Sequence, residues 1–422
     1  MATDLKTVAQ AIDAYAARQQ LATPATTALF HNLLSDALAK ATTAEADGTY
    51  FVKTGDIPAM WLRDATFQVL PYVQLIDEIP DLQPILVGVL RRELRYIQHD
   101  PYANAFNQTA SGAHWSDDES DIPVSDLVWE RKFEIDSLCA PLLLALRLQE
   151  QTGAADFFDD EFWQTLGAIL TVFETEQHHE TASTYYFKRE DCPANDTLTH
   201  DGRGTPVAET GMIWNGFRPS DNASELGYHV PSNMFAVAML RALLPLVPSE
   251  ATPLKTRMQQ LITSIEQGIA DYAVVTLPTG ETGYAYEVDG LGHTKLMDDA
   301  NVPSLLSLPF IGYTAADNPY YQATRRFILS ADNPYYYQGT ILKGIGSNHT
   351  PAAYVWPISL AMVGLTTPDK PVKQAQLALI AATDNDTAQC HESVSVDDAS
   401  QYTRDWFSWA NMTYCQLALE LI

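Results

Sequence analysis

"TPATTALFHNLLSDALAKA", residues 23–41, carries the pattern that decides the fold class. Thr23 can act as an N-cap and Pro24 as the first helical residue, because proline has a preset φ and the first turn does not need its N–H. The apolar residues that share one face of this helix are Leu29, Leu33, Leu34 and Leu38. The stretch therefore predicts an amphipathic helix with a buried apolar stripe.

The same pattern recurs along the chain. "EFWQTLGAILTVFETEQ" (161–177) repeats the stripe, and "TPLKTRMQQLITSIEQGIADY" (252–272) repeats both the stripe and the start, with Thr252 as N-cap and Pro253 as first helical residue. Further helices are predicted over 64–77, 84–99, 134–151, 231–246, 300–309, 317–330, 353–366, 370–383 and 406–421. Short strand-like pieces, "TYFVKT" (49–54) and "STYYFKRE" (183–190), lie between them. About a dozen helices without a flexible linker favour one all-α domain over residues 1–422.

Composition excludes several classes of function. The 422 residues are 46% apolar and 18% charged, and 53 acidic against 25 basic side chains give a formal net charge of −28. A chain this acidic is repelled by nucleic acid and by anionic membrane surfaces. It also lacks a run of about twenty apolar residues, so we expect no membrane span.

The N-terminal sequence and the cysteines suggest a compartment. "MATDLKTVAQAIDAYAARQQ" (1–20) has no basic stretch followed by an apolar core, which is the pattern of a secretion signal. The four cysteines are dispersed and form no CxxC pair, so they indicate neither a zinc site nor a disulfide framework. We expect a cytoplasmic protein.

No metal or other cofactor is expected from the sequence. The ten histidines are scattered, and the pair "HH" (178–179) stands outside any HxxxH or HxxE pattern. "LMDDAN" (296–301) lacks the spacing of an EF-hand loop.

Several segments between the helices combine tryptophan or other aromatics with carboxylates, arginine and asparagine. They are "GDIPAMWLRD" (55–64), "VWERKFEID" (128–136), "GMIWNGFRPSDNAS" (211–224), "KGIGSNHT" (343–350), "CHESVSVDD" (390–398) and "YTRDWFSWAN" (402–411). Aromatic rings stack on the C–H face of a sugar, while carboxylate, guanidinium and amide groups bind its hydroxyls. A single loop tryptophan can equally cover the core, but the repeated combination indicates a carbohydrate pocket.

These segments also carry a family resemblance. "DIPAMWLRD", "WERKFEIDSLC", "GMIWNGFRPSDNAS" with "PSNMF", "GIGSNHTP" and "CHES" occur in order over roughly residues 45–415 and together resemble glycoside hydrolase family 125. The resemblance implies a metal-independent exo-α-1,6-mannosidase on an (α/α)6 barrel of six inner and six outer helices, with short β insertions in the loops. The implied substrate is an α-mannoside oligosaccharide, such as one derived from an N-glycan. It implies nothing about partner proteins.

The resemblance assigns two catalytic carboxyls. Asp221 corresponds to the general acid of the family and Glu392 to the general base that activates water. Since the family inverts the anomeric centre, the two carboxyls should stand about 6.5–9.5 Å apart with a water between them. From the residues alone, Asp221 could instead cap a helix entered at "ASELGY", and Glu392 could form a loop ion pair with His391. Asn222 departs from the family pattern, which often has a second Asp there, and leaves Asp221 as the one carboxylate of that pair.

Eight further residues are candidates for binding the substrate. They are Trp61, Arg63, Asp64, Asp136, Trp214, Arg218, Asn348 and His349. We expect Asp64 to cap a helix and to accept a hydrogen bond from a mannose hydroxyl. Glu134 and Asp136 are two positions apart and point in different directions on a helix, so at most one should face the sugar and the other should pair with Arg131 or Lys132.

Three other functions remain open at this point. The nearest is an inverting (α/α)6 glycosidase that acts on α-glucosides, of the glucoamylase or trehalase type. A sugar epimerase or isomerase on a similar barrel would use histidine acid–base pairs, whereas the segments here are centred on carboxylates. A non-catalytic sugar-binding module would not need both carboxyls.

Overall fold

The computed structural model describes residues 4–422, and 44% of the chain is helical. The α-helices of this part of the chain are α1 (Leu5–Ala16), α2 (Pro24–Leu33), α3 (Leu62–Val69), α4 (Leu82–His99), α5 (Ile135–Thr152), α6 (Asp160–Glu176), α7 (His179–Ala182), α8 (Thr199–Gly202), α9 (Val230–Leu243), α10 (Thr252–Gly268), α11 (Pro319–Ile328), α12 (Pro357–Leu365), α13 (Lys370–Ala381) and α14 (Ser408–Leu419). The predicted helix-rich fold with short strands is confirmed.

The strands are two or three residues long. They are β1 (Thr42–Ala44), β2 (Tyr50–Val52), β3 (Met60–Trp61), β4 (Ala105–Phe106), β5 (Glu119–Ser120), β6 (Val128–Glu130), β7 (Phe187–Lys188), β8 (Tyr228–His229), β9 (Val274–Thr276), β10 (Thr282–Tyr284), β11 (Glu287–Val288), β12 (Thr294–Lys295), β13 (Tyr336–Gln338), β14 (Lys343–Ile345), β15 (Tyr354–Val355), β16 (Ser393–Ser395) and β17 (Tyr402–Thr403). They pair in small antiparallel ladders within the connections between helices.

The chain divides into two compact units. Unit 1 comprises residues 1–93, 143–157 and 335–422, and unit 2 comprises 94–142 and 158–334. In unit 1, α14 packs against α2, α3 and α12, and the ladders are β1–β2, β13–β14 and β15–β16–β17. In unit 2, α10 packs against α6 and α9, and the ladders are β4–β6, β5–β7, β9–β10 and β8–β11–β12.

The strongly periodic segments form helices because each has an apolar stripe to bury. Thr23 caps α2 in a reciprocal arrangement with Thr26, and Pro24 is the first helical residue, as predicted. The predicted stripe of α6 is completely buried; its members are Phe162, Leu166, Ile169 and Phe173. In α10 the helix already begins at Thr252, so the predicted cap is one residue too late and Ala251 takes that position.

Several segments differ from the prediction, among them the four-residue helices α7 and α8, which were not predicted. The N-terminal helix α1, capped by Asp4, was not predicted. Residues 300–309, predicted as a helix, form bends followed by a turn instead. The carboxylate of Asp298 accepts hydrogen bonds from the backbone N–H groups of Leu305 (2.8 Å) and Leu306 (2.9 Å). These side-chain acceptors take the place of helical carbonyls.

The four cysteines form no disulfide. Cys139, Cys390 and Cys415 are buried, whereas Cys192 is half-buried. Burial raises the pKa of each of the three enclosed thiols well above its ordinary value. Across residues 4–422, every helix is too short or too polar to cross a bilayer.

Candidate active site

In unit 1, the motif "WLRD" turns from strand β3 into helix α3. Trp61 occupies the N-cap position, and its backbone N–H donates to Thr54 Oγ1 at 3.1 Å. Asp64 therefore lies in the first helical turn and does not cap the helix, contrary to the expectation from the sequence. Its Oδ2 lies 3.3 Å from the Arg63 guanidinium, and both side chains are buried. Such a pair at a helix N-terminus offers charged hydrogen-bonding groups that are fixed in place.

Helix α14 supplies an aromatic wall beside this pair. The Arg63 guanidinium lies over the Trp409 ring at 5.2 Å from the centroid, and Phe67 stacks on the same ring at 5.6 Å. The indole N–H groups of Trp61 and Trp409 are buried and lack a hydrogen-bond acceptor among residues 4–422. Buried donors of this kind are normally satisfied, so these two are available to a bound molecule.

Glu392 immediately precedes strand β16 and is held by Arg404, which immediately follows strand β17. The Arg404 Nε donates to Glu392 Oε1 at 3.2 Å, and its Nη1 donates to Asp56 Oδ1 at 2.6 Å. Burial lowers the pKa of Arg404, but the charges of Glu392 and Asp56 outweigh it and raise that pKa. The Glu392 backbone N–H also donates to the Thr403 carbonyl at 3.1 Å. The carboxylate is therefore fixed at both its backbone and its head group.

The neighbouring histidine does not form the ion pair that the sequence left open. The His391 ring stacks on Tyr402 with 3.6 Å between centroids. Its Nδ1 lies 3.0 Å from the Arg404 carbonyl, and its Nε2 lies 3.3 Å from the Asp384 carbonyl. His391 thus supports the loop, whereas Glu392 pairs with Arg404.

The "GSNHT" loop lies after strand β14. Asn348 is half-buried, and its Oδ1 is a buried acceptor without a donor in the described part of the chain. His349 is exposed, with its ring 6.3 Å from that of Trp356. The Trp356 Nε1 donates to Thr350 Oγ1 at 2.9 Å, which ties the loop to the start of α12.

In unit 2, Asp221 stands at the tip of a tight turn and not at a helix start. Its φ is +66°, in the left-handed region, and the Asp221 N–H donates to the Arg218 carbonyl at 2.9 Å. The Arg218 N–H closes the turn by donating to the Asn222 carbonyl at 2.7 Å. Asp221 Oδ1 is buried and has no hydrogen-bond donor within residues 4–422. The helix-cap interpretation is therefore wrong, and this carboxyl oxygen is open to a ligand atom.

Arg218 is completely buried beneath this turn. Its Nε donates to Glu287 Oε1 at 2.6 Å, and its Nη2 lies 3.3 Å from Glu225 Oε1. Burial lowers the pKa of Arg218, but Glu287 outweighs it, so that pKa is raised. Glu287 also accepts hydrogen bonds from the backbone N–H groups of Glu225 and Leu226. The arrangement fixes the turn from below and leaves Arg218 Nη1 without an acceptor among the described residues.

Asp136 lies in the first turn of α5 and takes part in a chain of buried polar groups. Its Oδ1 accepts from Ser232 Oγ at 3.1 Å, and Ser232 Oγ lies 2.7 Å from His229 Nδ1. Burial, followed by the charge of Arg218, holds the pKa of His229 well below its ordinary range. Nearby, Glu134 Oε2 accepts from Ser137 Oγ at 2.8 Å.

Arg131 and Lys132, the expected partners of Glu134 or Asp136, pair with other carboxylates. Arg131 pairs with Asp100 and Asp121, and Lys132 pairs with Asp196. Both cations precede α5, and the fold brings carboxylates from other parts of the sequence to them.

Trp214 packs inside unit 2. It is 1% exposed, and its ring stacks on His179 at 3.7 Å between centroids and lies parallel to Phe133 at 6.3 Å. Its edge meets the backbone of Gly204 and Gly227 so closely that a Cβ on either glycine would lie 3.0 Å or less from the ring. Trp214 thus packs against the loop that leads to Asp221, and its indole N–H, like that of Trp61, lacks an acceptor among residues 4–422.

The structure brings the predicted residues together in two groups. Unit 1 holds Trp61, Arg63, Asp64, Asn348, His349 and Glu392; unit 2 holds Asp136, Trp214, Arg218 and Asp221. Three residues received no supporting role from the sequence: Arg404 holds Glu392, Lys132 contacts the Asp221 backbone, and Glu287 holds Arg218. Arg404 was detectable as a member of an aromatic-rich loop, whereas nothing in the sequence around Glu287 indicates its place under Arg218. Among residues 4–422 no group of three or more His, Cys, Asp or Glu side chains is arranged to hold a metal ion.

Known proteins resemble this chain in both sequence and fold. The family model described as metal-independent alpha-mannosidase (GH125) matches residues 23–419. The Meiotically up-regulated gene 157 protein of Schizosaccharomyces pombe is 34% identical over 388 residues, which cover 88% of this chain and 76% of that protein.

Solved structures agree with these matches. A Streptococcus pneumoniae metal-independent α-mannosidase, in a non-productive substrate complex with α-1,6-mannobiose, is 41% identical with a TM-score of 0.91, covering 99% of this chain and 96% of that one. A glycosidase variant with 14% identity and a TM-score of 0.53, over 99% and 96% of the two chains, shares the fold alone. The chain belongs to glycoside hydrolase family 125, the metal-independent α-mannosidases.

Proposed function

We propose that this chain is an inverting exo-α-1,6-mannosidase that releases mannose from the non-reducing ends of α-1,6-linked mannosides, including oligosaccharides derived from N-glycans. The observation that carries the proposal is the 41% identical neighbour that was solved with α-1,6-mannobiose. The alternatives on α-glucosides have weaker support, because a glycosidase variant solved with glucose is 12% identical and shares the fold alone.

Two carboxyls perform the reaction in this proposal. Asp221 donates a proton to the glycosidic oxygen as the C1–O bond breaks, and Glu392 takes a proton from the water whose oxygen bonds to C1 from the opposite face. The product is then β-mannose, with inversion at C1. The buried Oδ1 of Asp221, which lacks a donor in the described part of the chain, supports the first role. The hydrogen bond from Arg404 to Glu392 Oε1 supports the role of Glu392 as the base, because it orients the carboxylate.

The binding groups divide by chemistry. Arg63, Asp64, Asp136 and Asn348 bind hydroxyls, and Trp61 offers an apolar face and an indole N–H. Arg218 contributes through Nη1, while Trp214 and His349 each shape the loop of their own unit.

We also propose that residues 1–422 form one catalytic domain on an (α/α)6 barrel, located in the cytoplasm. The high TM-score to a family member, over nearly the whole of both chains, supports the single domain, and four free cysteines support a reducing compartment. Limited proteolysis that yields two independently folded fragments would contradict the first statement. Recovery of the native protein in an oxidising compartment after cell fractionation would contradict the second.

The test of the proposed function uses two substrates and two variants. Asp221→Asn removes the transferable proton, so the rate on α-1,6-mannobiose should fall about 10²–10⁴-fold, the usual worth of general acid catalysis. A dinitrophenyl α-mannoside has a leaving group that needs little protonation, and its rate should fall much less. Glu392→Gln should slow both substrates alike, because water attack is needed in each.

Three further measurements complete the test. NMR of the first-formed anomer should show β-mannose, and early digests of an α-1,6-mannan should contain mannose without intermediate oligosaccharides. Faster cleavage of α-1,2- or α-1,3-mannobiose, maltose or trehalose would overturn the assigned linkage or sugar. An Asp221→Asn variant that slows both mannosides equally would overturn the assigned acid.

A further inference from the structure

The turn that carries Asp221 needs an external support. A non-glycine residue in the left-handed region is disfavoured, so its surroundings help to hold it there. The two backbone hydrogen bonds that Arg218 makes with Asp221 and Asn222 close the turn, and Phe217 and Ala223 form an antiparallel bridge at its base. These contacts fix the base of the turn, but they do not contact the peptide that follows Asp221.

Lys132 makes the contact at that peptide. Its Nζ donates a hydrogen bond to the Asp221 carbonyl at 3.0 Å. The side chain is 1% exposed, and the ammonium lies 4.9 Å from the centroid of the Phe217 ring, at the base of the same turn. One buried cation thus touches both the tip and the base of the turn.

The ammonium is fixed by a series of linked ion pairs that are buried except at Asp196, which is one quarter exposed. Lys132 donates to Asp196, and Asp196 accepts from Arg189 Nη1 at 2.9 Å. Arg189 in turn binds both carboxylate oxygens of Asp118 at 2.7 Å and Glu130 Oε2 at 2.7 Å. Because Lys132 and Arg189 are both paired with carboxylates, the Lys132 ammonium has little freedom to move away from the Asp221 carbonyl.

The lysine also keeps its charge. Burial lowers the pKa of Lys132, but nearby carboxylates, of which Glu130 acts most strongly, outweigh burial, so that pKa is raised. A charged donor makes a shorter and stronger hydrogen bond to a carbonyl than a neutral one does. The contact is therefore suited to hold a strained peptide.

We propose that Lys132 is a positioning residue for the general acid: it holds the Asp221 peptide so that the carboxyl is aimed at the glycosidic oxygen. The inference rests on the proposed function, in which Asp221 is that acid. It assigns Lys132 no contact with the substrate. A displacement of about 1 Å at a reacting group can cost about 10²-fold in rate, so the loss of this one contact can be measured.

The experiment compares Lys132→Met with a matched control, Arg131→Met. Both replace a buried cation of the same segment, but Arg131 binds Asp100 and Asp121 and does not touch the Asp221 turn. Lys132→Met should lower kcat on α-1,6-mannobiose by about 10–100-fold, with KM nearly unchanged, and lower the rate on the dinitrophenyl mannoside much less. Arg131→Met should change the two rates by the same factor.

Two further variants keep the proposal testable if Lys132→Met does not fold. Lys132→Arg retains charge and donors and should recover part of the mannobiose rate. Asp196→Asn loosens the anchor of Lys132 at a carboxylate that is itself one quarter exposed, and should give a smaller loss with the same substrate dependence.

Each outcome separates this inference from the proposed function. Equal losses on both substrates for Lys132→Met and Asp196→Asn would reduce Lys132 to a stabilising residue and overturn the inference. A wild-type protein that cleaves neither mannoside, or an Asp221→Asn variant without the leaving-group difference, would instead overturn the proposed function.

Discussion

Gly227→Ala tests how tightly Trp214 is enclosed. Gly227 has φ +79°, and a Cβ at this position would lie 2.5 Å from Val207 Cγ1 and 3.0 Å from Trp214 Cδ1. The left-handed backbone costs an alanine about 1–2 kcal/mol. Overpacking a filled interior costs about 1–3 kcal/mol more. We expect the free energy of unfolding to fall by the sum, about 2–5 kcal/mol.

A matched variant separates the two costs. Gly280 has φ +82° and lies in the same unit, and a Cβ added to it would meet no other atom within 4 Å, so Gly280→Ala carries the backbone cost alone. Urea unfolding followed by far-UV circular dichroism and tryptophan fluorescence gives both values. The difference between the variants should be about 1–3 kcal/mol. Equal losses for Gly227→Ala and Gly280→Ala would refute the close packing around Trp214.

Two more predictions concern buried ionisable groups in unit 2. Arg218→Met leaves Glu287 buried without its cation and should lower the free energy of unfolding, measured in urea, by about 3–5 kcal/mol. Adding Glu287→Gln should recover part of this loss. An Arg218→Met variant as stable as wild type would contradict the pairing. Because the pKa of His229 is well below its ordinary value of about 6.5, the unfolded chain binds a proton there that the folded chain does not. The contribution of neutral His229 to stability is complete above about pH 6.5 and is lost as the pH falls, by at most about 1.4 kcal/mol per pH unit. The free energy of unfolding of His229→Gln should therefore depend less steeply on pH. Identical slopes for the variant and the wild type between about pH 6.5 and 5 would contradict this prediction.

The helices could be predicted where one periodic face has to be buried. The stripe of α6 and the cap at Thr23 depend on residues a few positions apart, and such local signals are readable in a single sequence. Residues 300–309 show the limit. Their apolar run resembles a helix, but the Asp298 carboxylate takes the backbone N–H groups of Leu305 and Leu306, and that competition is invisible to periodicity.

The candidate site shows the same division. The segments that carry Asp221 and Glu392 stand out by composition and by family resemblance. Lys132 and Arg404 lie in segments of similar composition, but their partners could not be predicted, because the folded backbone brings them to carboxyls 89 and 12 positions away. The expected role of Asp64 as a cap failed for a related reason. Its helix starts at Leu62, two residues earlier than the prediction, so the carboxylate pairs with Arg63 instead.

The unequal burial of the thiols has a practical consequence for spectroscopy. Cys192 is half-buried, while the other three sulfurs are enclosed, so a maleimide fluorophore should attach to this residue in the native protein. Burial and the nearby Asp196 raise the pKa of the Cys192 thiol, and labelling will therefore need mildly alkaline buffer. The dye would then lie four positions before Asp196, the carboxylate that anchors Lys132. The native chain thus carries its own attachment point for following the movement of this loop by fluorescence, without an engineered cysteine.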